Sequence, residues 1–339
     1  LMPARNGLVE TANNARRELR GLLNASREVR STAELGSEAL RRATAGMAAD
    51  GVCAAGDVIS RLYDQTVSRR AQGLTFVGLP TGLVDLDRGL KGLKNSDLVV
   101  VAGRPGMGKS SLVNALQGYL AKAGNHVASF NLEMSVEQQM ARLLSAEAQV
   151  PYEAIQTGQM TDEEFGRFTL ASGMMAEKRL WLDDTPGLTV GQVAARARRL
   201  HAEHGLDIVI VDYLQLLAEP PGRANKNDAV GDNCKRLKEL ARELDVPVIV
   251  LAQLSRAVES RADKRPMLSD LRDSGEIEQH ADVVLFLYRD EYYNQNSERP
   301  SVIEVICAKF RNGQNFRADL FFLGIFTSVA NLRRQEISL

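Results

Sequence analysis

One short run constrains this chain more than any other: Gly103-Arg-Pro-Gly-Met-Gly108-Lys109-Ser110 matches the pattern GxxxxGK[ST]. It directly follows Asp97–Gly103 (DLVVVAG), an apolar, Val-rich run ending in glycine, as a buried parallel strand does. It opens a helix pattern that continues to about Ala123. Strand, glycine turn and helix in that order form the context a phosphate-binding loop requires. The glycines let backbone N–H groups close around phosphate oxygens, and the helix N-terminus adds partial positive charge. Lys109 is placed to neutralise β- and γ-phosphates, and the Ser110 hydroxyl to coordinate Mg²⁺. A chance match in a chain of this length is on the order of 1%, and the context lowers that further. The nucleotide-binding candidates are therefore Gly103, Arg104, Pro105, Gly106, Met107, Gly108, Lys109, Ser110 and Ser111.

The rest of the chain agrees with such a core. From Leu79 onward, strand and helix patterns alternate. Strands are expected at His126–Phe130, Leu180–Leu182, Asp207–Val211, Val246–Ala252 and Val283–Tyr288, and helices at Val136–Ala146, Val190–His204 and Asp228–Leu244. That alternation means a mostly parallel sheet covered by helices. Val302–Lys309 and Phe316–Phe322 flank Asn312-Gly313, a strong turn signal, and read as a C-terminal β-hairpin. The first ~75 residues differ. Leu8 to Val29 and Leu35 to Met47 carry apolar residues at helical spacing, and Asp57–Arg70 carries Val58, Leu62 and Thr66 with Ile59, Tyr63 and Val67 beside them. These helices are too thin for a core of their own and read as a helical arm. Three segments follow: an N-terminal helical region at 1–56, a short third helix and linker at 57–78, and an α/β phosphate-binding domain at 79–339.

Ligands of open α/β sheets bind beyond the carboxyl ends of the strands, which makes the residues at those ends the site candidates. The strand after the P-loop helix runs into Glu133, whose position fits either a carboxylate that polarises a water attacking the γ-phosphate or an ordinary surface glutamate. Asp207–Val211 ends in Asp212, a Walker-B-type acid for Mg²⁺, and Val246–Ala252 ends in Gln253, a neutral group able to sense the γ-phosphate. Glu, Asp and Gln at three strand ends in this order mark a RecA-like P-loop NTPase core. Asn225-Lys226-Asn227-Asp228 fits NKxD, a guanine-specifying motif, but it lies in a polar stretch after Pro220-Pro221-Gly222, and no DxxG follows Asp212. It reads as a loop and helix cap, with adenine as the base.

Composition excludes several other classes. With 42 basic and 43 acidic residues the formal charge is −1, so any nucleic-acid binding must come from local basic loops. Cys53, Cys234 and Cys307 are odd in number and show no CxxC spacing, which excludes a disulfide scaffold or structural zinc and points to a reducing, cytoplasmic compartment. No apolar run approaches the ~20 residues of a membrane span, and no secretory signal opens the sequence.

Seven blocks occur in the order and spacing of the DnaB-type replicative DNA helicases: Gly103–Ser110, Phe130–Met134, Val211–Leu216, Ala252–Arg256, Ala262–Pro266, Asp270–Gly275 and Lys309–Gly313. Between Leu79 and Phe322 the chain thus resembles that family. The resemblance implies a homohexameric ring with ATP and Mg²⁺ bound between subunits, translocating 5′→3′ on single-stranded DNA at a replication fork. A helicase loader and other replisome proteins are its implied partners. It further implies that Glu133 is the catalytic base, that Arg142 lies near the nucleotide, and that Lys309 and Arg311 are supplied to the neighbouring subunit's site. Arg272, Asp273 and Gly275 match a channel loop that grips the DNA backbone, with Asp273 where the family commonly has glutamate. Arg256, Arg261, Lys264 and Arg265 lie upstream and are expected to add positive potential. Aromatics are 5% of the chain and do not cluster there, which favours sequence-neutral backbone tracking over base stacking.

The departure is at the front. About 55 residues before the linker helix are too few for the family's globular N-terminal domain, so a primase contact is not expected. A phage, plasmid or divergent bacterial helicase, or a trimmed sequence, fits this. Two other readings share the core: a RecA-like recombination or repair ATPase that forms filaments, and an ATP-switched ring scaffold that does not unwind. The Arg-Asp-Ser-Gly loop and Lys-x-Arg hairpin disfavour the first, and intact Glu133 and Arg311 the second.

Overall fold

The computed structural model describes residues 53–71, 73, 76–218, 226–271 and 274–332. The expected helices between Leu8 and Met47 lie outside the described residues, as do Arg272 and Asp273. The chain divides into two units, residues 1–74 and 75–339. In the first, the expected third helix forms as α1 (Ala55–Ala71), with Asp57 in its first turn and Arg69 and Arg70 in its last, the charge order that suits a helix dipole. No residue of α1 is buried.

The second unit opens with α2 (Val84–Leu90) and then alternates: β1 (Leu98–Gly103), α3 (Lys109–Lys122), β2 (Val127–Asn131), α4 (Val136–Ala148), α5 (Tyr152–Thr157), α6 (Asp162–Ala176), β3 (Leu180–Asp183), α7 (Val190–His204), β4 (Ile208–Asp212), α8 (Lys226–Leu244), β5 (Val248–Gln253), α9 (Ser274–His280) and β6 (Val283–Tyr288). A short α10 (Asp290–Tyr293) leads to β7 (Val302–Phe310), β8 (Arg317–Leu323) and β9 (Ser328–Asn331). The strands form one nine-stranded sheet in the order β3-β2-β4-β5-β1-β6-β7-β8-β9. Pairs from β3 to β6 are parallel, and β7, β8 and β9 add antiparallel. The expected parallel core and terminal hairpin are both present. The guanine-type motif is no strand end: Lys226 to Asp228 open α8.

The Val-rich strands read as continuous apolar runs because both sheet faces are covered. Alternate residues of one strand enter opposite cores: Leu98, Val100 and Ala102 pack with α7 and α8, while Val99 and Val101 pack with α2 and α3. β4 and β5 divide in the same way, Val209 and Val211 against Ile208 and Ile210, Val248 and Val250 against Ile249 and Leu251. A slip of one residue in any strand would exchange these sets, so the register that aligns the strand ends is fixed by packing. Phe286 on β6 is fully buried in the first core. Phe286→Ala is expected to lower unfolding free energy by about 3–5 kcal/mol, read as a shifted urea midpoint. An unchanged midpoint would mean the β6 region contributes little to global stability.

Candidate functional site

The parallel register brings Gly103 of β1 level with Gln253 of β5, and Asn131 of β2 level with Asp212 of β4. The carboxyl ends therefore form one rim, and a cleft of about 270 Å³ opens above it. Pro105, Gly106, Gly108, Lys109, Ser110, Ser111, Glu133, Arg142, Asp212 and Gln253 line it, together with Tyr213 and Phe322. Residues as far apart in sequence as 105 and 253 are thus brought to one place.

The loop holds its shape through left-handed backbone at Gly106 (φ +79°) and Gly108 (φ +90°). A Cβ at Gly106 would stand 2.7 Å from the Tyr292 ring, and one at Gly108 2.7 Å from Ile303 Cδ1, so neither position admits a side chain without displacement. Gly108 also caps α3, whose first residue is Lys109. The Lys109 ammonium donates to the Gly103 and Arg104 carbonyls at 2.9 and 3.2 Å, and burial pushes its pKa below the usual lysine value. Asp212 and Glu133 are the anions that oppose this shift. The Ser110 hydroxyl lies 3.4 Å from Asp212 Oδ2. Burial pushes the Asp212 carboxyl up to about 6, and the nearby Glu133 charge adds to the rise.

These features fit a nucleoside triphosphate with Mg²⁺. Two mutually repelling acids beside a desolvated lysine form a site whose charge a divalent cation and its phosphates would balance. Among the described residues no cluster of three or more His, Cys, Asp or Glu side chains forms a metal cage. The Ser110 hydroxyl and the Asp212 carboxylate form a donor set that suits Mg²⁺, which takes one or two carboxylates and completes its shell with water and phosphate. Arg142 Nε is buried without a hydrogen-bond partner, while its guanidinium lies over the Tyr152 ring at 5.6 Å. An anionic ligand in the cleft would satisfy it.

Two loop residues take a different place from their neighbours. Arg104 turns away from the cleft, donating to Glu259 Oε1 at 2.8 Å and to the Leu254 carbonyl at 2.9 Å, and Met107 is buried in the core. Their side chains support the loop and do not line the cleft. The Lys309 and Arg311 side chains contact the end of α9. Lys309 ends on the Glu278 and Ala281 carbonyls and Arg311 on Asp282 and the Gln279 carbonyl, all at the carboxyl end of α9, and neither lines the cleft. Gly275 is exposed at the start of α9. Of the upstream cations, Arg261 is bidentate to Asp270 (2.8 and 2.7 Å) and Arg265 to Glu304 (2.9 and 2.7 Å), so these two serve internal ion pairs. Lys264 lies over the Tyr293 ring, and Arg256 is exposed.

Sequence reasoning missed several supports. Gln215 exchanges two hydrogen bonds with the backbone of Gln253, at 3.1 and 3.2 Å, tying the turn after β4 to the end of β5. Arg289 donates to the Gly106 carbonyl at 2.9 Å and stacks over Phe322 at 3.8 Å. Gln215 lies within the Val211–Leu216 block. Arg289 directly follows one strand pattern and Phe322 closes another, and neither position carries a local signal for the cleft.

Comparison with known proteins places this geometry. The replicative DNA helicase DnaB of Geobacillus stearothermophilus is 43% identical over 282 residues, 82% of this chain and 62% of the relative. That of Haemophilus influenzae is 43% identical over 284 residues, 83% of this chain and 59% of the relative. The chain thus spans about three fifths of the length of these relatives. A solved ATPase domain superposes with a TM-score of 0.79 at 34% identity, covering 84% of this chain and all of that one. A DnaB-like replicative helicase, solved in a study of its interactions with primase, gives 0.76 at 34% identity over 84% of this chain and 68% of that one. The family model of DnaB-like helicase C-terminal domains matches residues 78–331, the whole stretch that builds the sheet and the cleft, and to that family the chain belongs.

Proposed function

We propose that the chain is the motor of an ATP-dependent, hexameric replicative DNA helicase that translocates 5′→3′ on single-stranded DNA. The observation that carries this is the convergence of Lys109, Ser110, Glu133, Arg142, Asp212 and Gln253 around one cleft. Family membership supports the extension from ATP hydrolysis to unwinding. Lys109 and the loop N–H groups hold the β- and γ-phosphates, Glu133 orients and deprotonates the attacking water, and Gln253 contacts the γ-phosphate. Mg²⁺ held by Ser110 and Asp212 supplies neutralisation of phosphate charge. Lys309 and Arg311 serve the nucleotide of a neighbouring copy, which agrees with their absence from the lining of their own cleft. The proposed partners are single-stranded DNA at the fork, further copies of the chain, a helicase loader and other replisome proteins, in the cytoplasm. Among the described residues no helix is long and apolar enough to cross a membrane.

Strand displacement on 5′- and 3′-tailed forks tests this directly. Unwinding of the 5′-tailed fork alone is expected, and activity on neither fork would leave a translocase or scaffold. Electron micrographs separate rings from recombinase-type filaments.

The DNA contact is assigned to Arg272, with Gly275 and Asp273 beside it. Arg272→Ala is expected to weaken single-strand binding equally for unrelated sequences and to make the log-affinity against log-salt slope shallower, since phosphate contacts carry no base information. Loss of affinity for one sequence only would contradict backbone tracking.

A further inference from the structure

What orients Arg311 is visible in its contacts. Its backbone N–H donates to the Asp282 carbonyl at 2.8 Å, one guanidinium nitrogen reaches Asp282 Oδ1 at 3.2 Å, and another reaches the Gln279 carbonyl at 3.2 Å. Asp282 is almost wholly buried, its side chain 3% exposed, whereas that of Arg311 is 51% exposed. The other oxygen of Asp282 accepts from the Leu98 N–H at 2.8 Å and from Lys238 Nζ at 2.6 Å. Lys238 in turn donates to the Ser96 carbonyl at 2.6 Å. Asp282 thus joins three elements: the first residue of the strand that leads into the P-loop, helix α8, and Arg311.

A buried carboxylate requires a cation, and Lys238 already provides one. Asp97 lies beside Asp282, so Lys238 and Arg311 both face this pair of acids. The hub also fixes the guanidinium: two of its nitrogens are anchored, and the side chain is 51% exposed. Asp97 reports the same anionic centre, its carboxyl pushed up to about 6 by burial and by the charge of Asp282.

We propose that Asp282 is a positioning residue for Arg311, holding its guanidinium in the orientation in which it meets the phosphates of the neighbouring subunit's nucleotide. The proposal rests on the reading that Arg311 acts in that neighbouring site. A group that works by orientation loses up to about a hundredfold in rate when displaced by an ångström, and an arginine acting in trans contributes about 10³–10⁵.

The test is a double-mutant cycle on DNA-stimulated ATP hydrolysis by the assembled protein. Arg311→Ala is expected to lower kcat by about 10³. Asp282→Asn is expected to lower kcat by about 10–100-fold and leave the ATP KM within about twofold, because the chain's own cleft is untouched. Combined, the two substitutions are expected to match Arg311→Ala alone. If Asp282→Asn lowers kcat by the same factor with and without Arg311, or leaves it unchanged in the Arg311 protein, the positioning role is overturned while the trans role of Arg311 stands. If Arg311→Ala turns over at the wild-type rate, the trans reading itself fails, and the proposal with it. Should Asp282→Asn not fold because Lys238 is left unpaired, the same cycle run in a Lys238→Met background removes the charges of Asp282 and Lys238 together, and the same criteria apply.

Discussion

Glu133→Gln is expected to bind ATP as the wild type does and to hydrolyse it about 10²–10⁴-fold more slowly. Lys109→Ala is expected to lose both binding and hydrolysis. The two differ because the site divides its work. Lys109 is a partly buried ammonium that donates to two loop carbonyls, at 2.9 and 3.2 Å, so it stands ready for an anion and makes much of the binding. Glu133 lies two residues beyond β2 on the cleft wall, close enough for its charge to raise Asp212. Glutamine keeps the shape and removes the proton acceptor, so phosphate binding survives and water activation does not. Nucleotide binding by equilibrium titration and phosphate release by steady-state assay separate the two variants. Near-wild-type turnover by Glu133→Gln would assign the base elsewhere.

How much of this was legible in the sequence depends on the length scale of the signal. Strands buried on both faces are apolar throughout, and β1, β4, β5 and β6 were found within two residues of their ends for that reason. The acids and the glutamine were found because a polar residue closing an apolar run stands out. No element was expected between residues 147 and 179, yet α6 carries a capping box of Thr161 and Glu164, with Ala171 and Met175 buried. Its signal was present and weak, because only a narrow stripe of that helix is covered. Helix α2 has seven residues and β9 four, too short for any period to register.

The side-chain partnerships were less legible than the elements. Nothing local distinguishes Arg104, which clamps Glu259, from Arg142, whose Nε lies buried without a partner. Arg261 and Arg265 read as basic surface potential, whereas each is bound to a buried carboxylate. Charge in a sequence reports capacity to bind an anion. Which anion it binds is decided by residues far away, here Asp270 and Glu304. The same holds for Lys309 and Arg311, expected in a neighbouring subunit's site and here bonded to carbonyls at the end of α9.

On the proposed hexameric assembly, Leu62→Asp is expected to leave monomers or dimers and to lower ATP hydrolysis with it. In α1, Ile59, Leu62, Tyr63 and Val67 share a stripe at helical spacing, and all four stand exposed, at 65, 57, 68 and 49%. A helix with a long apolar stripe and no buried residue has its natural cover in another surface, and each Leu or Val so covered contributes about 1.5–3 kcal/mol. On the proposed assembly, that cover is a neighbouring copy. An aspartate at the centre of the stripe would have to bury a charge without a partner, which outweighs the contribution of several apolar contacts. Once the neighbour is lost, Lys309 and Arg311 reach no second site, so hydrolysis falls although every residue of the cleft is intact. Sedimentation velocity gives the assembly state, and thermal unfolding at several concentrations separates lost assembly from lost folding. A variant that melts earlier at every concentration yet stays hexameric would place the stripe against its own subunit.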